Sequence, residues 1–111
     1  MTTETATFRD LGPGEDLPDN WVNPYYLEDL KLRVGVARVG DALYAFDDIY
    51  ESANGPCPLS AGMLKGKEIM SQCDGAQFDL ATGEWTSGPV KANPLQTYET
   101  REEGGQIQVR I

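Results

Sequence analysis

The clearest pattern in the chain lies at its C-terminus, where Ile107, Val109 and Ile111 alternate with Gln106, Gln108 and Arg110. A strict period of two sets each group on one face of a β-strand. Gly104-Gly105 separates this run from residues 97–102, a tight-hairpin signal. The same reading applies earlier. Leu32, Val34 and Val36 alternate with Lys31, Arg33 and Gly35, which predicts a half-buried strand over Leu32–Val39. Gly40-Asp41 then turns the chain into a second strand over 42–46. A short run at Glu68–Met70 and a hairpin turning at Thr82-Gly83, between 78–80 and 84–85, complete the strand signals. Residues 12–24 carry three prolines and two glycines and predict an irregular loop, anchored to the core by Trp21, Tyr25, Tyr26 and Leu27. Helical spacing is weak throughout. Short strands with glycine- and proline-rich turns predict an all-β antiparallel sandwich or barrel.

Charge and composition narrow the function. The chain has 111 residues, the size of one domain, and a net charge of −9. That charge argues against nucleic acid, whose phosphates need a basic stripe. It fits solubility or steering toward a basic protein partner. No apolar run is long enough for a bilayer, so no membrane association is expected. Residues 1–8 lack the basic start and apolar stretch of a secretory signal, so a cytoplasmic location is expected. Histidine is absent, which removes the commonest metal ligand and the commonest general base. No nucleophile–base pair is visible, and the chain does not read as an enzyme. The two cysteines, Cys57 and Cys73, cannot supply a four-thiolate iron–sulfur site.

Two loops carry a more specific signal. The first reads DDIYESANGPCPLSAG over 47–62 and the second IMSQCDGAQFD over 69–79. Pro58-Leu59-Ser60 with Gly62, and Gly75 with Phe78-Asp79, resemble the framework of the two cluster-binding loops of Rieske-type [2Fe–2S] ferredoxins. Ser87-Gly88-Pro89, Pro94-Leu95 and the C-terminal hairpin extend the resemblance over roughly residues 30 to 111. It implies a Rieske-like, ISP-type fold in one domain over 1–111. The base would span 1–46 and 81–111, with a loop-rich subdomain over 47–80 inserted into it.

The resemblance also implies where cluster ligands would lie, and there the sequence departs. A Rieske centre needs two thiolates on one iron and two imidazoles on the other. Residue by residue, those positions fall on Tyr50, Ser52, Ser71 and Asp74. The expectation is therefore a member of the type that has lost all four cluster ligands and holds no cofactor. Tyr50 is expected to fill part of the pocket, and Ser52, Ser71 and Asp74 to bond loop backbone groups. In some Rieske proteins one extra cysteine in each loop forms a clamping disulfide. Cys57 and Cys73 fall where that pair would fall, and the resemblance implies a bridge between them, with two reduced thiols as the alternative. Asp47, Asp48, Glu51, Asp74 and Asp79 place carboxylates in or beside the loops, but their spacing matches no calcium loop, so no metal site is expected. The implied function is a non-redox binding, adaptor or regulatory component of an oxygenase- or reductase-type system. A protein partner would dock at the loop tips. The alternative is an electron-carrying ferredoxin, of which this chain would be a ligand-substituted version.

Overall fold

The computed structural model describes residues 8–52, 54–89 and 91–111. Among them the first six strands are β1 (Phe8–Pro13), β2 (Trp21–Leu27), β3 (Leu32–Val39), β4 (Ala42–Asp47), β5 (Ile49–Ser52) and β6 (Gly55–Pro58). β7 (Met63–Lys65), β8 (Glu68–Met70), β9 (Gln77–Asp79), β10 (Trp85–Ser87), β11 (Thr97–Glu103) and β12 (Gln106–Arg110) follow. They form an antiparallel six-stranded sheet in the order β1-β12-β11-β4-β3-β2, a four-stranded sheet β10-β9-β8-β7, and the hairpin β5-β6. No described helix is long and apolar enough to cross a membrane.

Both expected tight hairpins form. Val39 opposes Ala42 across Gly40-Asp41, and Glu103 opposes Gln106 across Gly104-Gly105. Gly104 and Gly105 both sit at positive φ (59° and 81°), the backbone that a two-residue turn matched to strand twist requires. Ile107 and Val109 are fully buried, as their alternation predicts.

The N-terminal region departs from its expected irregularity. Only the stretch between Pro13 and Trp21 is without strand; β1 extends to Pro13 and β2 begins at Trp21. Pro24 fits inside β2 because that strand lies at the sheet edge, where a missing N–H breaks no second ladder. Of the four expected anchors, Tyr25 and Leu27 pack into the core, whereas Trp21 and Tyr26 are 55% and 61% exposed. Tyr26 points to the opposite face of β2 from its neighbours. Trp21 stands at the strand's first residue with its indole N–H on Asn23 Oδ1 at 3.0 Å.

β3 also differs from a half-buried strand: Val34, Gly35, Val36 and Ala37 are all buried. Val34 and Val36 join Leu17, Leu27, Ala45, Ile107 and Val109 on one face. Ala37 and Phe46 join Tyr50, Cys57, Leu59, Ile69 and Phe78 on the other. The six-stranded sheet thus has its own core and a second apolar layer beneath the loop-bearing unit. Gly35 makes room between them: a Cβ there would lie 2.6 Å from Phe46 Cε2.

The smaller unit is larger than expected. A return to the base was expected from residue 81, but Trp85 opposes Phe78, so β10 still belongs to the smaller sheet. The turn between them is closed locally, by Asp79 N to Glu84 O at 2.8 Å and Gly83 N to Asp79 O at 2.7 Å. The two units are tied by Asp48, which is fully buried. Its carboxylate accepts from Arg33 Nε of β3 at 2.6 Å, from Ser60 N at 2.7 Å and from Ser60 Oγ at 2.8 Å.

Candidate functional site

Two loop tips meet beside the smaller sheet. β5 and β6 build the first, with Tyr50 opposite Cys57 and Ser52 opposite Gly55. The second is the turn from Ser71 to Ala76, held by Ser71 N to Ala76 O at 2.8 Å and Gly75 N to Ser71 O at 2.9 Å. A disulfide joins Cys57 to Cys73 across the junction. Cys57 is fully buried and Cys73 half-buried.

Tyr50 dominates the interior of this junction. It is 8% exposed, and its ring meets Phe78 edge-on at 5.0 Å between centroids. Its hydroxyl donates to Asp74 Oδ2 at 3.1 Å. Burial, and then the acceptor carboxylate beside it, push the phenol pKa upward, so the group stays a neutral donor. The other carboxylate oxygen, Asp74 Oδ1, accepts from Ala76 N at 3.0 Å.

The two serines are bonded locally. Ser71 is buried; its Oγ accepts from Cys73 N at 3.1 Å and lies 3.4 Å from Cys57 Sγ. A disulfide sulfur carries no proton, so the serine hydroxyl is the donor in that contact. Ser52 Oγ donates to Gly55 O at 2.6 Å and accepts from Asn54 N at 3.0 Å, which closes its own hairpin. The structure therefore brings Tyr50 to Asp74 and Ser71 to the Cys57–Cys73 bridge, while Ser52 serves the first loop alone. Three of these side chains bond loop backbone, as the sequence suggested.

The carboxylates disperse. Asp48 is committed to Arg33 and Ser60, and Asp79 Oδ1 accepts from Ala81 N and Thr82 N at 2.8 and 3.0 Å. Asp47 Oδ1 accepts the Tyr98 hydroxyl at 2.6 Å; burial and that carboxylate hold the Tyr98 phenol well above its ordinary range. Among the described residues no group of three or more His, Cys, Asp or Glu is arranged to hold a metal ion.

Two parts of the site escape sequence reasoning. Asn54 reaches from the first loop to the second, its Nδ2 donating to Cys73 O at 3.0 Å. Residues 91–96 form a third wall, which with β5 and Asp74 encloses a cleft of about 460 Å³. The proline at 94 was the available signal for that segment; its approach to β5, about 40 residues earlier in the chain, has none.

No protein-family model matches the chain. The ferredoxin component of a naphthalene 1,2-dioxygenase system from Pseudomonas aeruginosa is 28% identical over 104 residues, covering 86% of this chain and 99% of that protein. A chain in the complex of reduced oxygenase and oxidized ferredoxin of carbazole 1,9a-dioxygenase superimposes with a TM-score of 0.79 at 25% identity, over 96% of this chain and 94% of that one. A Mycobacterium tuberculosis protein assigned as the small subunit of an NADH-dependent nitrite reductase shares the fold, with a TM-score of 0.81 at 18% identity over 97% of each chain.

Proposed function

We propose that this chain, a relative of the Rieske-type ferredoxins of oxygenase systems in sequence and fold, is a non-redox component of an oxygenase- or reductase-type system that acts through protein contact. Tyr50 fills part of the space where a cluster would sit, and the four positions are bonded among themselves and to the loops. The observation that carries this reading is the Tyr50–Asp74 hydrogen bond, which joins two of the four positions the resemblance assigns to cluster ligands.

The chemistry of the four positions supports it. A sulfide-bridged diiron unit is held by soft thiolates and imidazoles. Here the donors are a phenol, two aliphatic hydroxyls and a carboxylate. The phenol is biased toward its protonated form by burial and by Asp74. Ser71 is committed to Cys73 N and the bridge, and Ser52 to the first hairpin. These residues do not fit the cluster, and no electron-transfer step is assigned through one. What remains is a rigid tip. The loops are clamped by Cys57–Cys73, by Asn54 to the Cys73 carbonyl and by Tyr50 to Asp74, with the Glu51 side chain facing solvent. The likeness to a ferredoxin seen in complex with its oxygenase supports a protein partner in general, and the tip is the surface we assign to it. The relatives' own role favours a second reading, an electron carrier whose ligands have been substituted in this version.

Paired expression under iron-replete conditions tests both. The unaltered chain is expected to purify colourless. The variant with Tyr50→Cys, Ser52→His, Ser71→Cys and Asp74→His restores the ligand types and is expected to gain brown colour and iron. Colour in the unaltered chain contradicts the proposal, and a colourless restored variant that folds contradicts the assignment of the four positions.

A further inference from the structure

One strand edge beside the tip is unpartnered. Among the described residues β5 pairs with β6 alone. The register sets Ile49 opposite Pro58 and Glu51 opposite Pro56, with Tyr50 opposite Cys57 and Ser52 opposite Gly55. Proline has no N–H, so the hydrogen-bonded pairs of this antiparallel ladder are Tyr50 with Cys57 and Ser52 with Gly55. The ladder continues in phase, Leu59 N donating to Asp48 O at 2.7 Å. Backbone groups of successive residues point to opposite sides of a strand, so the N–H and C=O of Ile49 and Glu51 point away from β6. Among the described residues nothing bonds to them.

These groups open onto the cleft of about 460 Å³. All four consecutive residues of β5 line it, whereas the face of a strand presents only alternate residues. The cleft therefore runs along the edge, with residues 91–96 as its far wall. Among the described residues its charged lining is Asp47, Glu51 and Asp74 against Lys91, and Ile49 adds an apolar side chain that is 41% exposed.

We propose that this edge receives an added strand from a partner protein: an extended basic segment that pairs with Ile49 and Glu51 through its backbone and sets lysine or arginine against the acidic lining. A second copy of this chain is a poor occupant, because it brings another −9 of charge to the same cleft. The inference rests on the protein-contact reading above, but not on the loss of the cluster. Short strands bearing a charge are also a means of keeping an edge unpaired.

Titration of the isotope-labelled, disulfide-intact protein with the peptide acetyl-Lys-Val-Arg-Val-Lys-amide decides between them. The largest amide shifts are expected at Ile49 and Glu51, with slowed hydrogen exchange there. The same peptide N-methylated on alternate residues is expected to bind about tenfold more weakly, the equivalent of one or two lost backbone hydrogen bonds. Glu51→Pro removes an outward N–H and a charge while sparing the rungs at Tyr50 and Ser52, and is expected to abolish binding; Glu51→Gln, which cannot disturb the backbone, is expected to weaken it. Shifts spread over the acidic surface, equal binding of the N-methylated peptide, or no binding overturns the proposal. Failure in an iron-free protein overturns the edge and leaves the loss of the cluster standing; iron in a protein that binds the peptide does the converse.

Discussion

Tyr50 reaches across the tip to Asp74, its hydroxyl 3.1 Å from Oδ2, so that the first loop and the second are fastened by side chains as well as by the disulfide. Asp74 turns its other oxygen to Ala76 N, which lets one carboxylate hold both the partner loop and its own turn.

Replacing Tyr50 separates the bond from the packing. Tyr50→Phe keeps the contact with Phe78 and removes the hydroxyl, and is expected to cost about 1 kcal/mol. Tyr50→Ala also empties a buried ring site and is expected to cost roughly 3 kcal/mol or more. Urea unfolding of the two variants measures the difference.

Much of the architecture was legible in local pattern, and the exceptions share a cause. The hairpins at Gly40-Asp41 and Gly104-Gly105 were readable because turn chemistry and alternation lie within a few residues. The double burial of β3 was not, because the layer that covers Ala37 comes from Leu59, Ile69 and Phe78, far along the chain. Pro24 read as a strand breaker because the edge position of β2 is a property of the sheet, not of the segment. At the tip the framework residues Pro58, Leu59, Ser60 and Gly62 marked the loop. The pairing of Tyr50 with Asp74 spans 24 residues and has no sequence signal of its own.

The Cys57–Cys73 bridge closes a loop with a sequence separation of 16. Chain entropy alone gives such a bridge a stabilising effect of roughly 3 kcal/mol. Cys57→Ser with Cys73→Ser is expected to lower the urea midpoint accordingly. Hydrogen exchange should then quicken at Asn54, Asp74 and Ala76, while the rungs between β3 and β4 stay protected.

Asp48 is a fully buried carboxylate with Arg33 and Ser60 as its partners. Asp48→Ala leaves Ser60 N and part of the Arg33 guanidinium without an acceptor, and is expected to cost about 3 kcal/mol. Asp48→Asn retains an acceptor for one of them and is expected to cost less. Thermal unfolding of both variants checks the order.

Alkaline pH should weaken the fold through its tyrosines. Tyr98 and Tyr50 have their pKa raised in the folded state, so near and above pH 10 the unfolded chain releases protons that the folded chain retains. Stability is then full below the ordinary phenol pKa and falls as pH rises beyond it. Tyr98→Phe loses the bond to Asp47 but should flatten that alkaline slope, which denaturant midpoints at pH 9 and above would record.

On the proposed reading, oxygen donors at Tyr50, Ser52, Ser71 and Asp74 do not retain a sulfide-bridged diiron unit. Anaerobic reconstitution of the unaltered chain with ferrous iron and sulfide, followed by desalting, dithionite reduction and electron paramagnetic resonance, examines those donors themselves. A silent spectrum and no stoichiometric iron are expected; a reduced Rieske-type signal accompanied by about two irons per chain would overturn the loss of the cluster.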